Sequence, residues 1–338
     1  MKKYFVSTVC AVIAVCLCGC TLRNPNETTE LSNAGAYTAP GISSPLEIDR
    51  TEQIGDKTVT IHATVMPVEQ EKLFTVVLTP DINAWAAFGK ELIPNYAQEI
   101  DSAVQSENMN ICVKDDDDRL WLSFELSKYS AGDMVFLDCE KDLNGSDLDS
   151  DWSYSIPHYR TQLVPPKMEI TAESAAEKMC GLLGSYSVLR FTPWNIIAGY
   201  DSQKEKGYYN IVLQPQMDGI PIYPEQISAF YSDDGLFLCR GTVFVQERMR
   251  TPVEAVLPLE RAVEQFIANC PAYARTKNVV CQQINLGYVM TSDKDIITLS
   301  PAWIFECQEE VYYGDKSQIS RTRYFNCGFL LENGEFWA

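Results

Sequence analysis

Histidine is nearly absent: His62 and His158 are the whole supply in 338 residues. A zinc centre built on imidazole therefore lacks its usual donors. Past residue 18 there is also no long apolar run, so no later membrane span is expected. Neither G-x-S-x-G nor H-E-x-x-H occurs, nor a Gly-rich phosphate loop, nor G-x-G-x-x-G behind a strand. Positive charge is scarce as well: 27 Lys and Arg stand against 46 Asp and Glu, a net charge of −19. That balance disfavours nucleic-acid backbones and anionic headgroups, and no nucleic-acid partner is expected.

What is present begins with "MKKYFVSTVCAVIAVCLCGC". Lys2 and Lys3 precede an apolar run from Tyr4 to Cys18, which stops at Gly19-Cys20. The order is that of a secretory signal, and the run is too short to span a bilayer comfortably. "LCGC" resembles the lipobox of bacterial lipoproteins, which implies that residues 1–19 are a signal peptide and that Cys20 is diacylated. An uncleaved signal anchor is the alternative. The first expected partner is thus the lipid bilayer, holding the chain on the extracytoplasmic side of the cell membrane. Residues 20–56, rich in Asn, Thr, Ser, Pro and Gly, read as a flexible tether with a reach of roughly 30 Å.

The remaining length is more than one typical domain. In "ITAESAAEKMCGLL", Thr171 is an N-cap candidate, and Ala175, Ala176, Met179, Leu182 and Leu183 share one helical face. Strand-like stretches follow, among them "GYYNIVLQPQMDGIPIY", "EQISAFYSDDG" and "LFLCRGTVFVQ". "LPLERAVEQFIANC" then repeats the helical spacing with Leu259, Ala262, Val263, Phe266 and Ile267. Strands return in "NVVCQQINLGYVM", "DIITLSPAWIFECQ" and "SRTRYFNCGFLLENGEF". The spacing predicts a tandem pair of modules, 167–251 and 252–338, each an antiparallel sheet packed on a helix.

"DGIPIYPEQISAFYSDDGLF", "VLPLERAVEQFI" and "INLGYVM…LSPAWIFEC" together resemble exported proteins of the YycI/YycH and PepSY type. The chain is also similar to uncharacterised surface lipoproteins of Firmicutes that begin with a strand like "VTIHATVMPVEQEKLFTVVLTP". The resemblance implies an α+β fold of tandem cystatin/PepSY-like modules and a regulatory binding role. It rests on turn and strand motifs rather than on catalytic residues, and this chain has a lipid site in place of a membrane helix beside a kinase. Ahead of the modules, 57–166 reads as an N-terminal α+β domain. Alternating "KTVTIHATV" and "KLFTVVLTP" precede a helix interrupted near Pro94, then a hairpin with an acidic tip at Asp115–Asp118.

Eight cysteines lie beyond Cys20: Cys112, Cys139, Cys180, Cys239, Cys270, Cys281, Cys307 and Cys327. None forms a CxxC pair, and export permits oxidation. The favoured bridges are Cys307–Cys327 and Cys270–Cys281, with buried free thiols as the competing reading. "DLNGSDLDSDW" aligns oxygen donors Asp142, Asn144, Asp147, Asp149 and Asp151, a Ca²⁺ loop or a plain acidic loop. No other cofactor is expected. Aromatics such as Trp194, Tyr208, Tyr209 and Trp303 suit the space between helix and sheet. Near "PIYPEQ", Tyr223 and Gln226 are the candidate partner-binding side chains on an edge shortened by proline. The favoured function is a non-enzymatic, membrane-anchored extracytoplasmic lipoprotein that binds a protein, peptide or envelope component. An envelope hydrolase acting on glycan or peptide is the alternative.

Overall fold

Strand pairing starts ahead of the expected boundary at residue 56. Leu46–Ile54 forms β1 and turns through Gly55 and Asp56 into β2 (Lys57–Val65), with Leu46 opposite Val65 and Ile54 opposite Lys57. The last part of the expected tether is therefore a strand. No β1 side chain is fully buried, so the stretch carries no apolar alternation. Its ladder is reinforced by polar cross-strand pairs: Thr64 Oγ1 donates to Glu47 at 2.8 Å, Thr58 Oγ1 to Gln53 at 2.8 Å, and Thr51 Oγ1 to Thr60 at 3.3 Å. In β2 the alternation is plain, with Val59, Ile61, Ala63 and Val65 buried.

The computed structural model describes residues 44–67, 72–92, 94–106, 110–114, 120–127, 136–141, 155–156, 168–201, 206–224, 226–233, 235–254, 256–293, 296–312 and 320–337. Cys20, Asp115–Asp118, Asp142, Asn144, Asp147, Asp149, Asp151 and His158 lie outside them.

After β3 (Phe74–Pro80), helix α1 (Ile82–Leu92) and α2 (Ala97–Gln105) are separated by a 3₁₀ turn at Pro94–Tyr96. Proline cannot donate to the helical ladder, which accounts for the break. β4 (Asn110–Lys114), β5 (Leu120–Ser127) and β6 (Phe136–Lys141) make a separate three-stranded antiparallel sheet.

A short strand, β7 (Ser155–Ile156), precedes helix α3 (Ala172–Gly184). Thr171 Oγ1 accepts from the Ser174 amide at 3.2 Å, and Ala175, Ala176, Met179 and Leu183 are buried on β8 (Arg190–Asp201) and β9 (Lys206–Met217). β10 (Ile220–Tyr223) follows a tight turn in which Asp218 and Gly219 hold φ of 53° and 80°. β11 (Ile227–Ser232) and β12 (Gly235–Arg240) form the next hairpin. β13 (Val245–Pro252) turns away from β12 and pairs with β3.

Helix α4 (Leu259–Tyr273) buries Ala262, Val263, Phe266, Ile267 and Cys270. Two long strands come next, β14 (Asn278–Asp293) and β15 (Ile296–Tyr312), then β16 (Ser320–Leu330) and β17 (Phe336–Trp337). A helix followed by an antiparallel meander thus occurs twice in the element order.

The β14–β15 hairpin is the backbone of a 14-stranded sheet. Near its open end β2 pairs parallel with β14 at Asn278–Ile284, and β16 pairs with β15 at Ala302–Tyr312. Near its turn β10 pairs parallel with β14 at Tyr288 and Val289, and β3 pairs with β15 at Ile297–Leu299. Residues 57–80, expected in an N-terminal domain, are thereby hydrogen-bonded into the sheet of the last helix. β10 has a partner on each side, β9 and β14, so the expected edge at "IPIY" is an internal joint between the two meanders. The fold is mixed α+β, mostly sheet.

Candidate functional site

Residues of β15 alternate between two different surroundings. Phe305, Cys307 and Glu309 are buried on the side covered by α4, whereas Glu306, Gln308 and Glu310 point the other way and keep solvent contact. Opposite them on β16 stand Asn326, Tyr324 and Thr322. Among the described residues this second face is covered at its β10 end alone. There Tyr223, Val289, Ala302 and Ile304 form a small core with Leu330 and Trp337 packed against it.

Tyr223 closes that end because Gly287 lets its ring lie against the strand. A Cβ on Gly287 would sit 2.8 Å from Tyr223 Cε2 and 2.7 Å from Ile304 Cγ1. The hydroxyl then reaches Glu306 Oε1, to which it donates at 2.9 Å. Asn285 Nδ2 donates to the same oxygen at 2.9 Å, and Gln283 Nε2 donates to Asn285 at 3.0 Å. Burial, and next the Glu306 carboxylate, hold the Tyr223 hydroxyl well above its ordinary pKa. It is a neutral donor across the physiological range.

At the opposite end of the open face is a cleft of about 640 Å³, bounded by Arg275–Asn278 on one side and by Gln308, Glu310 and Thr322 on the other. Its first wall is the link from α4 to β14, and two charges hold that link. Lys57 Nζ donates to the Ala274 carbonyl at 2.7 Å and also to the Pro271 carbonyl, placing a cation at the helix C-terminus. Glu309 Oε2 accepts from the amides of Arg275 and Thr276 at 2.8 and 3.0 Å and from Thr276 Oγ1 at 3.1 Å. Its other oxygen takes Arg323 Nη1 at 2.5 Å. Burial works to raise the Glu309 pKa, but the Arg323 hydrogen bond and those from Thr276 and Arg275 outweigh it, so the carboxyl sits below its usual range. With the link fixed, the exposed Arg275 and Glu310 line the cleft together with Lys277, whose Nζ lies 3.6 Å from Asp56 Oδ2. A ligand there meets both signs of charge.

The predicted site residues divide between these surroundings. Tyr223, expected on an exposed binding face, is 7% exposed and belongs to the small core, while Gln226 is exposed. Trp194 is 52% exposed, and Tyr208, Tyr209 and Trp303 are buried. Cys270, Cys281, Cys307 and Cys327 come together beneath α4, all as free thiols. Among the described residues no group of three or more His, Cys, Asp or Glu is placed to hold a metal ion, and no helix is long and apolar enough to cross a membrane. The calcium-loop candidates Asp142 to Asp151 and the lipid site Cys20 lie outside the described residues. Glu306, Asn285 and Glu309 were not foreseen. "FECQEEV" held one usable signal, since Glu309 falls in the apolar register of Phe305 and Cys307 and so had to be buried with partners.

The chain matches no protein-family model and no curated protein. It is similar to a solved structure, an uncharacterized protein from Eubacterium rectale ATCC 33656, with a TM-score of 0.52 at 11% identity over 86% of this chain and 93% of that one. At that identity the likeness is one of fold, a mixed α+β chain dominated by sheet.

Proposed function

We propose that this is a non-enzymatic lipoprotein, anchored through Cys20 outside the cytoplasmic membrane, that binds a protein or peptide segment on the open face of β14–β16. The observation that carries the reading is the cleft at the end of that face, lined by Arg275, Lys277, Glu310 and Thr322, with the 55% exposed Tyr324 two residues along β16 from Thr322. Such a surface offers a peptide pairing for either charge and an aromatic ring for contact area. The repeated order of helix and meander supports tandem cystatin/PepSY-like modules, with β2 and β3 added to the second. "LCGC" supports the anchor.

The test is photo-crosslinking in native membranes with a benzophenone amino acid in place of Tyr324, and in a second chain in place of Glu177 on the exposed side of α3. A discrete adduct from position 324 that is absent from 177, and that weakens when Arg275 and Lys277 are both changed to Glu, is expected. Equal adducts from both positions would remove the binding face from consideration.

A further inference from the structure

The side of the β14–β16 sheet that faces α4 carries an unusual core. Phe266 stacks on Phe305 with centroids 4.4 Å apart. One helical turn later Cys270 comes down over the same sheet, where Cys281, Cys307 and Cys327 lie on three adjacent strands. Their exposures are 0, 0, 3 and 1% for Cys270, Cys281, Cys307 and Cys327. The Cys307 thiol donates to the Phe305 carbonyl at 3.6 Å and the Cys281 thiol to the Gln283 carbonyl at 3.4 Å, so neither is engaged with solvent. Four thiols in one dry layer, contributed by a helix and three strands, exceed what packing alone asks of a small apolar residue.

Strand geometry sorts the pairings. Cys281 and Cys327 are on opposite sides of β15, two strand spacings or roughly 10 Å apart, beyond the reach of a disulfide. Cys307 is directly opposite Cys281, but Cys327 is directly opposite Phe305, which makes Cys307 and Cys327 a diagonal pair. Direct antiparallel neighbours have Cα atoms about 4.5–5.5 Å apart, inside the disulfide range, whereas diagonal neighbours are at about 7–8 Å. Cys270 is left with Cys327, and α4 packs against β15 and β16.

We propose that this cluster is a paired disulfide site in which Cys281–Cys307 joins β14 to β15 and Cys270–Cys327 ties α4 to β16. The oxidation rests on the extracytoplasmic placement proposed above; the pairing rests on the fold alone. Each bridge forms by exchange. A cysteine thiolate attacks the disulfide of an oxidising dithiol partner, and the second thiolate displaces that partner from the mixed disulfide. Two S–H bonds are lost, one S–S bond is made, and the partner leaves as a dithiol carrying the two electrons. In the closed core burial holds Cys270 and Cys307 well above the ordinary thiol pKa, so thiolate is scarce and no partner can reach it. Exchange therefore belongs to the stage before α4 closes on the sheet, and the finished bridges resist external thiols until the module opens.

The full chain, reduced and denatured, is refolded in a mixture of reduced and oxidised glutathione, alkylated in denaturant and mapped by mass spectrometry without reduction. Linked peptides containing Cys281 with Cys307 and Cys270 with Cys327 are expected, each lighter by two hydrogens. Reduction under denaturing conditions followed by refolding without oxidant should lower the thermal midpoint by roughly 5–15 °C. In the double variant Cys270→Ala/Cys327→Ala the peptide linking Cys281 to Cys307 should persist. Cys307–Cys327 with Cys270–Cys281, or four alkylated thiols after refolding, overturns the pairing. The same map on protein taken from the native envelope is the second arm. Bridges in the tube with free thiols in the envelope overturn the oxidising compartment and leave the pairing standing.

Discussion

Tyr223 and Glu306, 83 positions apart in the chain, meet in a 2.9 Å hydrogen bond that closes the β10 end of the open face. The contact joins the two meanders, because Tyr223 ends the strand shared between them and Glu306 lies midway along β15.

That bond makes stability sensitive to alkali. Burial, then Glu306, raises the Tyr223 pKa, and burial, then Asp218, pushes Tyr288 up to about 12. Above about pH 10 the unfolded chain loses protons that the folded chain keeps, so the stabilisation is intact below pH 10 and declines as pH rises. Urea midpoints should hold level between about pH 7 and 9 and drop above 10. Tyr223→Phe should cost about 1–3 kcal/mol at neutral pH and make the alkaline drop shallower. An unchanged alkaline slope in that variant would sever Tyr223 from the effect.

Glu309 carries the opposite dependence. Its folded pKa lies below the ordinary 4.5, so the stability it contributes is present above that value and lost as pH falls through the folded pKa. Glu309→Gln should lower stability by about 3 kcal/mol at pH 7 and by much less at pH 3. Because glutamine has one acceptor oxygen where the carboxylate has two, it can hold either the Arg275–Thr276 amides or Arg323 but not both, and the Tyr324 crosslink should weaken in the same variant. Denaturant curves at the two pH values check the first outcome, and adduct yield checks the second.

Two glycines separate turn chemistry from close approach. Gly235 has φ of +104° and open space where a Cβ would go, so Gly235→Val meets backbone strain without a clash, expected at about 1–3 kcal/mol. Gly287→Ala meets Ile304 and the Tyr223 ring instead and should cost about 1–3 kcal/mol through overpacking. In a Tyr223→Ala background Gly287→Ala should cost less than in the parent, with the Ile304 contact remaining, whereas the cost of Gly235→Val should be unchanged. A double-mutant cycle on thermal midpoints gives the answer.

Local patterns were legible and pairings across the chain were not. Thr171 and the faces of α3 and α4 could be read directly, because a cap and a 3.6-residue period are short-range. So could the break at Pro94 and the turn at Gly219. β1 was invisible, since "LEIDRTEQI" buries nothing and is held by its ladder to β2. The place of β10 was invisible too, because a period of two cannot say which neighbour a strand will take. The cleft depends on Lys57 reaching Pro271, 214 positions away, and on Glu309 reaching Arg275. Neither contact leaves a local trace beyond the misplaced charge in "FECQEEV".

The β1 strand yields the last prediction. β2 is paired with β14 on one side and with β1 on the other, so removing β1 exposes a row of unpaired backbone donors and acceptors along nine residues. Few apolar groups are lost with it, since Ile48 alone on that strand packs against the core as a partly buried side chain. A chain beginning at Lys57 should therefore lose only modest stability, about 1–2 kcal/mol, yet gain a strong tendency to self-associate through β2. A chain beginning at Ser44, two residues ahead of β1, should behave as the parent does. Sedimentation velocity across a concentration series distinguishes the two truncations. If the shorter chain stays monomeric at concentrations where the parent does, β1 is not acting as the cover for that edge, and its role reduces to the polar ladder of Glu47, Thr51 and Gln53.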